Sequence, residues 1–177
     1  MTADHTLREL VGSVREVISR QLSWAETAGL VADRLRLHLP TADLLPADQR
    51  YGDPLGYCSH VVHAEPDGSF SIAALVWRSG QATPIHDHIT WCVTGVIEGG
   101  ELEDQFALRD GWLEHIGTSA AAAGTITSLV PPGDIHLVRN SGSDTTISLH
   151  IYGTDLTRLG SSVRRTYDQP VMAPTND

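Results

Sequence analysis

Apolar positions along the chain follow two rhythms, and the change between them falls near Tyr51. In the first stretch Leu7, Leu10, Val11, Val14, Val17 and Ile18 recur at three- and four-residue spacing, the mark of an amphipathic helix with one buried face. A second helix is predicted from Ser23, where Ser23-Trp24-Ala25-Glu26 has the form of a capping box, and it runs towards His38 ahead of Pro40. Residues 1–50 thus read as a helical segment, with Trp24 expected to dock it on the remainder. From Tyr57 the period shortens to two. Short β-prone runs alternate with turn signals at Pro66-Asp67-Gly68-Ser69, Arg109-Asp110-Gly111 and Ser141-Gly142-Ser143-Asp144. The predicted strands are 57–63, 70–77, 91–98, 102–107, 112–117, 125–129, 136–140 and 146–152, and the alanine-rich run 119–124 is expected to be a loop. So many short strands at this spacing predict a mainly β fold, a double-sheet jelly roll over 51–177 with a C-terminal extension, in one domain with the helical segment.

Composition narrows the field of function. A chain of 177 residues, 41% of them hydrophobic, suits one domain with a sizeable core. The formal charge of −10 with only 12 basic residues argues against nucleic acid as a partner, because that affinity rests on clustered cations. No apolar run approaches the roughly 20 residues that span a bilayer, and the N-terminus lacks a basic stretch followed by an apolar one. With only Cys58 and Cys92 there is no disulfide framework, which leads to the expectation of a reducing, cytoplasmic setting and no membrane partner. The oligomeric state stays open.

Two spaced motifs carry the chemistry. One runs from Gly80 through His86-Asp87-His88 and Cys92 to Gly99; the other is Pro131-Pro132-Gly133-Asp134-Ile135-His136 with Asn140 four residues on. Side chains on a strand alternate, so His86 and His88 share a face and Asp87 points away from them. A third imidazole brought in by a later strand, such as that of His136, would complete a facial set of metal ligands. A second constellation is Ser148, His150 and Tyr152, which alternation puts on one face while Ile147, Leu149 and Ile151 take the other. Polar groups on an inward face need partners, and a Ser-His-Tyr chain supplies them. Trp77 and Trp112 read as core, His5, His38, His63 and His115 as surface or capping groups, and Arg139 as a support for the ligand strand through an ion pair.

The paired motifs resemble those of the cupin superfamily, whose second motif is matched by Pro131, Gly133, His136 and Asn140. Within it the chain resembles the thiol dioxygenases, the cysteine dioxygenase and 3-mercaptopropionate dioxygenase family. The residues that carry this are Thr83-Pro84-Ile85-His86-Asp87-His88, Trp91 to Gly99, and Ser148 to Tyr152. The resemblance implies a cupin double-stranded β-helix, one Fe(II) held by His86, His88 and His136, and oxidation of a small carboxylate-bearing thiol by O2 to its sulfinic acid. Many cupins carry a glutamate ligand where this chain has Cys92, so the fourth corner is free for sulfur and oxygen. It further implies that Tyr152 steadies substrate and oxygen, with His150 orienting it and Ser148 orienting His150, and that Cys92 can be linked to Tyr152 as a thioether.

For the substrate, the pattern departs from both branches of that family. Cysteine dioxygenases carry an arginine shortly after the tyrosine of the first strand and 3-mercaptopropionate dioxygenases a glutamine; this chain reads Tyr57-Cys58-Ser59-His60. Trp91 resembles the mercaptopropionate branch, Cys92 the cysteine branch. Arg164 and Arg165 resemble a C-terminal arginine segment of the mercaptopropionate branch and, with His60 and Ser59, are the candidates for a carboxylate clamp; exposed ion pairing is the alternative for the arginines. A metal-dependent cupin isomerase or epimerase and a non-catalytic small-molecule-binding cupin are the competing functions.

Overall fold

The structure, a computed structural model, describes residues 2–172. Two helices come first, α1 (Ala3–Ile18) and α2 (Trp24–Leu37). Thr2 caps α1, and Ser23 and Glu26 form the reciprocal capping box predicted for α2. Leu10, Val14 and Val17 of α1 and Val31 and Leu35 of α2 are fully buried, so the apolar stripe read from the spacing is the face that packs. Two short 3-10 turns, Ala42–Leu44 and Ala47–Tyr51, lead into the strands.

Ten strands follow: β1 (Cys58–Ala64), β2 (Ser71–Trp77), β3 (His86–His88), β4 (Cys92–Glu98), β5 (Gly100–Arg109), β6 (Trp112–Ala122), β7 (Ile126–Leu129), β8 (His136–Asn140), β9 (Thr146–Tyr152) and β10 (Val163–Thr166). A single-turn helix, α3 (Leu156–Leu159), lies between β9 and β10. One antiparallel sheet has the order β1-β2-β9-β4-β7 and the other β10-β3-β8-β5-β6, the predicted jelly roll. The 119–124 run is not a loop throughout: 119–122 extends β6, paired residue by residue with 100–103 of β5. The ladder overrides the poor β propensity of alanine there. β10 has no counterpart among the predicted strands; it pairs with β3 along the open edge of its sheet.

The first sheet is covered on both faces. Ile147, Leu149 and Ile151 of β9, with Ile72, Ala74 and Val76 of β2, pack outward against α1 and α2, while Ala73, Leu75, Trp77 and Tyr152 face the barrel interior. Every residue of β2 and β9 is buried as a result. Each large apolar side chain removed from water contributes about 1.5–3 kcal/mol, and this face carries most of them. Trp24 takes no part: it is 47% exposed, and Trp112, read as core, is 48% exposed. The docking falls to the aliphatic stripe instead, because Trp24 opens α2 on its solvent side. Among the described residues no helix is long and apolar enough to cross a membrane.

Leu35 of α2 and Leu39 just beyond it pack directly over Gly95 of β4. A Cβ there would lie 2.8 Å from Ile126, 2.9 Å from Leu39 and 3.0 Å from Leu35, so hydrogen is what the contact admits. Gly95→Ala is expected to destabilise the fold by about 1–3 kcal/mol through overpacking, read as a drop of several degrees in Tm by calorimetry; an unchanged Tm would show that the helices dock elsewhere.

Candidate functional site

His86 and His136 are register partners across β3 and β8, and His88 lies two residues on along the same face. Their ring centroids are 4.6–5.0 Å apart, and one ligand nitrogen from each falls within 4.8 Å of the others. The three rings are 4–5% exposed. Each Nδ1 is already bonded: that of His86 to the Pro84 carbonyl at 2.9 Å, of His88 to Asp134 at 3.0 Å, and of His136 to Glu103 at 2.7 Å. An acceptor at every Nδ1 fixes the tautomer with its proton there and turns the Nε2 lone pair inward. The Nε2 of His136 is buried with no hydrogen-bond partner. A buried, unsatisfied nitrogen is costly unless something binds it, so the donor set fits a metal ion, and borderline divalent ions such as iron or zinc suit three imidazoles.

Electrostatics favour neutral ligands. Burial, with the neighbouring His136, lowers the His86 pKa to about 4. Glu103 and Asp134 are pushed up by burial, but their hydrogen bonds to His136 and His88 win, and both stay below the ordinary carboxyl range. Two carboxylates thus stand behind the imidazoles to offset a dication. Asp87 points away as alternation requires, where Arg164 and Tyr167 bind its carboxylate. That pairing ties β10 to β3.

The histidines open onto a cavity of about 200 Å³ inside the barrel, lined also by Cys92, Thr94, Glu101, Glu103, His150 and Tyr152. His150 and Tyr152 are part of its wall, and Ser148, fully buried, lies behind His150. Ser148 Oγ lies 2.9 Å from His150 Nε2, and His150 Nδ1 lies 3.2 Å from the Tyr152 hydroxyl and 3.3 Å from Thr94 Oγ1. Trp77 donates its indole N–H to Ser148 Oγ at 3.1 Å. An indole can only donate, so Ser148 Oγ accepts there, and its own proton stands between His150 Nε2 and the Glu101 carboxyl. His150 Nδ1 faces the hydroxyls of Tyr152 and Thr94, and the Tyr152 hydroxyl also lies beside Ser162 and Cys92. Burial holds His150 neutral, with its pKa lowered to about 3, and raises Tyr152 well above the ordinary phenol value. Cys92 is the direct cross-strand partner of Tyr152 between β4 and β9, the adjacency a thioether requires, and burial pushes its thiol up to about 12. Trp91 is buried on the outer side of the same sheet, in the core beneath the helices, not in the cavity wall.

Of the residues expected to clamp a carboxylate, Ser59 lines the cavity and the other three do not. Arg164 is drawn to Asp87 on the far side of β3. Arg165 stacks over Tyr167 at 4.5 Å. His60 shares its strand face with Cys58 and Val62, which pack under the helices. Arg139 pairs with Asp104 outside the barrel. Asn140 of the second motif is structural: its side-chain amide donates to the carbonyls of Trp77 and Asp144 and accepts from the Gly142 amide. Motif spacing does not point to Glu103, Asp134, Thr94 or Glu101. Strand alternation along Glu101-Leu102-Glu103 was the available signal, but an alternating acidic face reads equally well as solvent-facing.

Glu101 is 5% exposed, and its Oε1 has no partner. Burial raises its pKa from 4.5 to about 7, against the pull of Ser148. The folded state keeps a proton that the unfolded chain releases, so stability is lost as pH rises from about 4.5 to 7. Glu101→Gln removes that loss. Chelator-treated variant and parent are expected to differ little in Tm at pH 4.5, with the variant ahead by on the order of 2 kcal/mol at pH 8; a gap that does not widen with pH would contradict the assignment.

A family model described as cysteine dioxygenase type I matches residues 49–165, the stretch that holds all three histidines and the Ser148–Tyr152 strand. Among solved structures, a protein from Thermus thermophilus is 18% identical with a TM-score of 0.47, over 62% of this chain and 96% of its own. An RmlC-like cupin protein from Desulfovibrio desulfuricans is 22% identical with a TM-score of 0.44, over 57% of this chain and 86% of its own. A double-stranded β-helix protein from Klebsiella pneumoniae is 21% identical with a TM-score of 0.46, over 63% of this chain and 90% of its own. The two sheets and the pair of N-terminal helices are those of a mainly β cupin barrel with a helical addition. The chain belongs to the cysteine dioxygenase type I family.

Proposed function

We propose that the protein is a ferrous-iron-dependent dioxygenase that adds both atoms of O2 to the sulfur of a small thiol and releases the sulfinic acid. The observation that carries this reading is the trio of buried imidazoles with every Nδ1 engaged and the Nε2 of His136 left unpartnered, beside Cys92 where many cupins carry a carboxylate. Family membership supports it. The reaction balances without a further reductant: the O–O bond breaks, two S–O bonds form, and the four electrons that sulfur loses are those that dioxygen gains.

His86, His88 and His136 would hold the iron, which when bound would supply the redox chemistry between thiol and O2. The chain's own residues do the rest. Pro84, Asp134 and Glu103 hold the rings in place. Cys92, with its thiol proton retained, adds no negative charge at the corner a glutamate would fill. Tyr152 presents a hydroxyl that keeps its proton across the physiological range and donates it to oxygen atoms in the cavity, while neutral His150 and the Ser148–Trp77 pair fix its direction.

Iron-loaded protein is expected to consume one O2 per thiol and to yield sulfinate, followed with an oxygen electrode and by mass spectrometry; no uptake with any member of a thiol panel would end the proposal. In that assay Tyr152→Phe is expected to lower kcat by roughly a hundredfold with KM little changed. Glu103→Gln is expected to weaken iron binding by roughly 10- to 100-fold without unfolding the barrel. Equal iron affinity in parent and variant would show that the Glu103–His136 hydrogen bond does not strengthen the site.

A further inference from the structure

The cavity carries a carboxyl group for which the iron centre has no use. Glu101 and Glu103 stand two residues apart on β5 and both line the interior. Glu103 is spent on His136. Glu101 touches no histidine, is buried, and leaves Oε1 without a partner. Directly opposite it on β6 is Ala121, also in the cavity wall, so the space beside the carboxyl is not filled by its neighbour.

Among the described residues no cation answers it. The sequence contains no lysine; its 12 basic residues are all arginines, and none lines the cavity. Arg139, on the neighbouring strand, is committed to Asp104 on the outer face. His150 is neutral for the reason given above. With Glu103 and Asp134 already offsetting a dication, a substrate carboxylate would add a negative charge to a wall that has no donor of opposite sign. A distal ammonium would find one waiting, and the carboxyl, half-protonated in the cavity without it, would ionise fully on pairing.

Resting on the dioxygenase reading, we propose that Glu101 is a cation subsite, and that the favoured substrate is a small aminothiol, with an ammonium group at the end away from sulfur and no carboxylate. The sulfur end goes to the histidines and the ammonium to the Glu101 carboxylate, in a cavity of a size for a compact molecule. Family resemblance alone points the other way, to a carboxylate-bearing thiol; the charge of this cavity decides against it.

The test compares 2-aminoethanethiol, 2-mercaptoethanol and 3-mercaptopropionate, which end in ammonium, hydroxyl and carboxylate. On iron-loaded parent protein kcat/KM is expected to fall in that order. Glu101→Gln is expected to lower kcat/KM for 2-aminoethanethiol by roughly ten- to a hundredfold more than for 2-mercaptoethanol, the loss of a charge-assisted hydrogen bond. Calorimetric titration of the same thiols into zinc-substituted protein, which binds without turnover, is expected to show the same selective weakening. Preference for 3-mercaptopropionate in both proteins would overturn the subsite and leave the dioxygenase standing. Absence of O2 uptake with every thiol, alongside Glu101-dependent binding of 2-aminoethanethiol, would do the reverse. Should the variant misfold, the rank order on the parent protein alone decides.

Discussion

The structure turns on three hydrogen bonds that leave three other atoms without any. Because Pro84, Asp134 and Glu103 each occupy an imidazole Nδ1, the opposite nitrogens have nowhere to point but at one another. Neutral rings facing one another at close quarters fit an ion between them, and the register of β3 against β8 sets that facing. A slip of one residue there would send His86 to the other side of the sheet and bring Asp87 inward. The Arg164 and Tyr167 contacts to Asp87 hold the strand against such a slip from behind. A segment expected to serve the substrate thus serves the ligand strand.

The same logic of two faces governs β9. Its odd-numbered residues from Ile147 pack under the helices, and on its even-numbered side His150 and Tyr152 line the cavity with Ser148 behind them. A fully buried strand that alternates apolar and polar is unusual unless the polar side has partners, and here Trp77, Thr94 and Tyr152 provide them. Trp77 therefore does more than fill space: its indole N–H anchors Ser148, which in turn backs His150 and Tyr152. Stability and chemistry are carried by opposite faces of one strand, so the helical segment, remote from the histidines, holds the Ser-His-Tyr line in position.

What was legible in the sequence is what periodicity and motif spacing encode. The capping box at Ser23, the apolar stripe of α1, the strands at 136–140 and 146–152 and the facial grouping of His86 and His88 all follow from local spacing. The convergence of His136 required the resemblance, because nothing in spacing alone says that β8 pairs with β3. Glu103 and Asp134 were illegible for a related reason: a carboxylate that orients a ring is an ordinary acidic residue until the strand that brings the ring is known. Trp24 and Trp112 misled because large aromatic residues are read as buried by type, while their places on solvent-facing sides are set by the packing of their neighbours. Arg164 misled because its side chain pairs with Asp87 of the neighbouring strand rather than with the cavity.

The central claim is that the three imidazoles hold iron with room beside it for sulfur. X-ray absorption at the iron edge, recorded anaerobically on the loaded protein before and after addition of a thiol, tests it most directly. The account predicts a shell of imidazole nitrogens with no carboxylate ligand, and the appearance of one sulfur scatterer when the thiol is added. A carboxylate in the shell, or a spectrum that the thiol leaves unchanged, would contradict it.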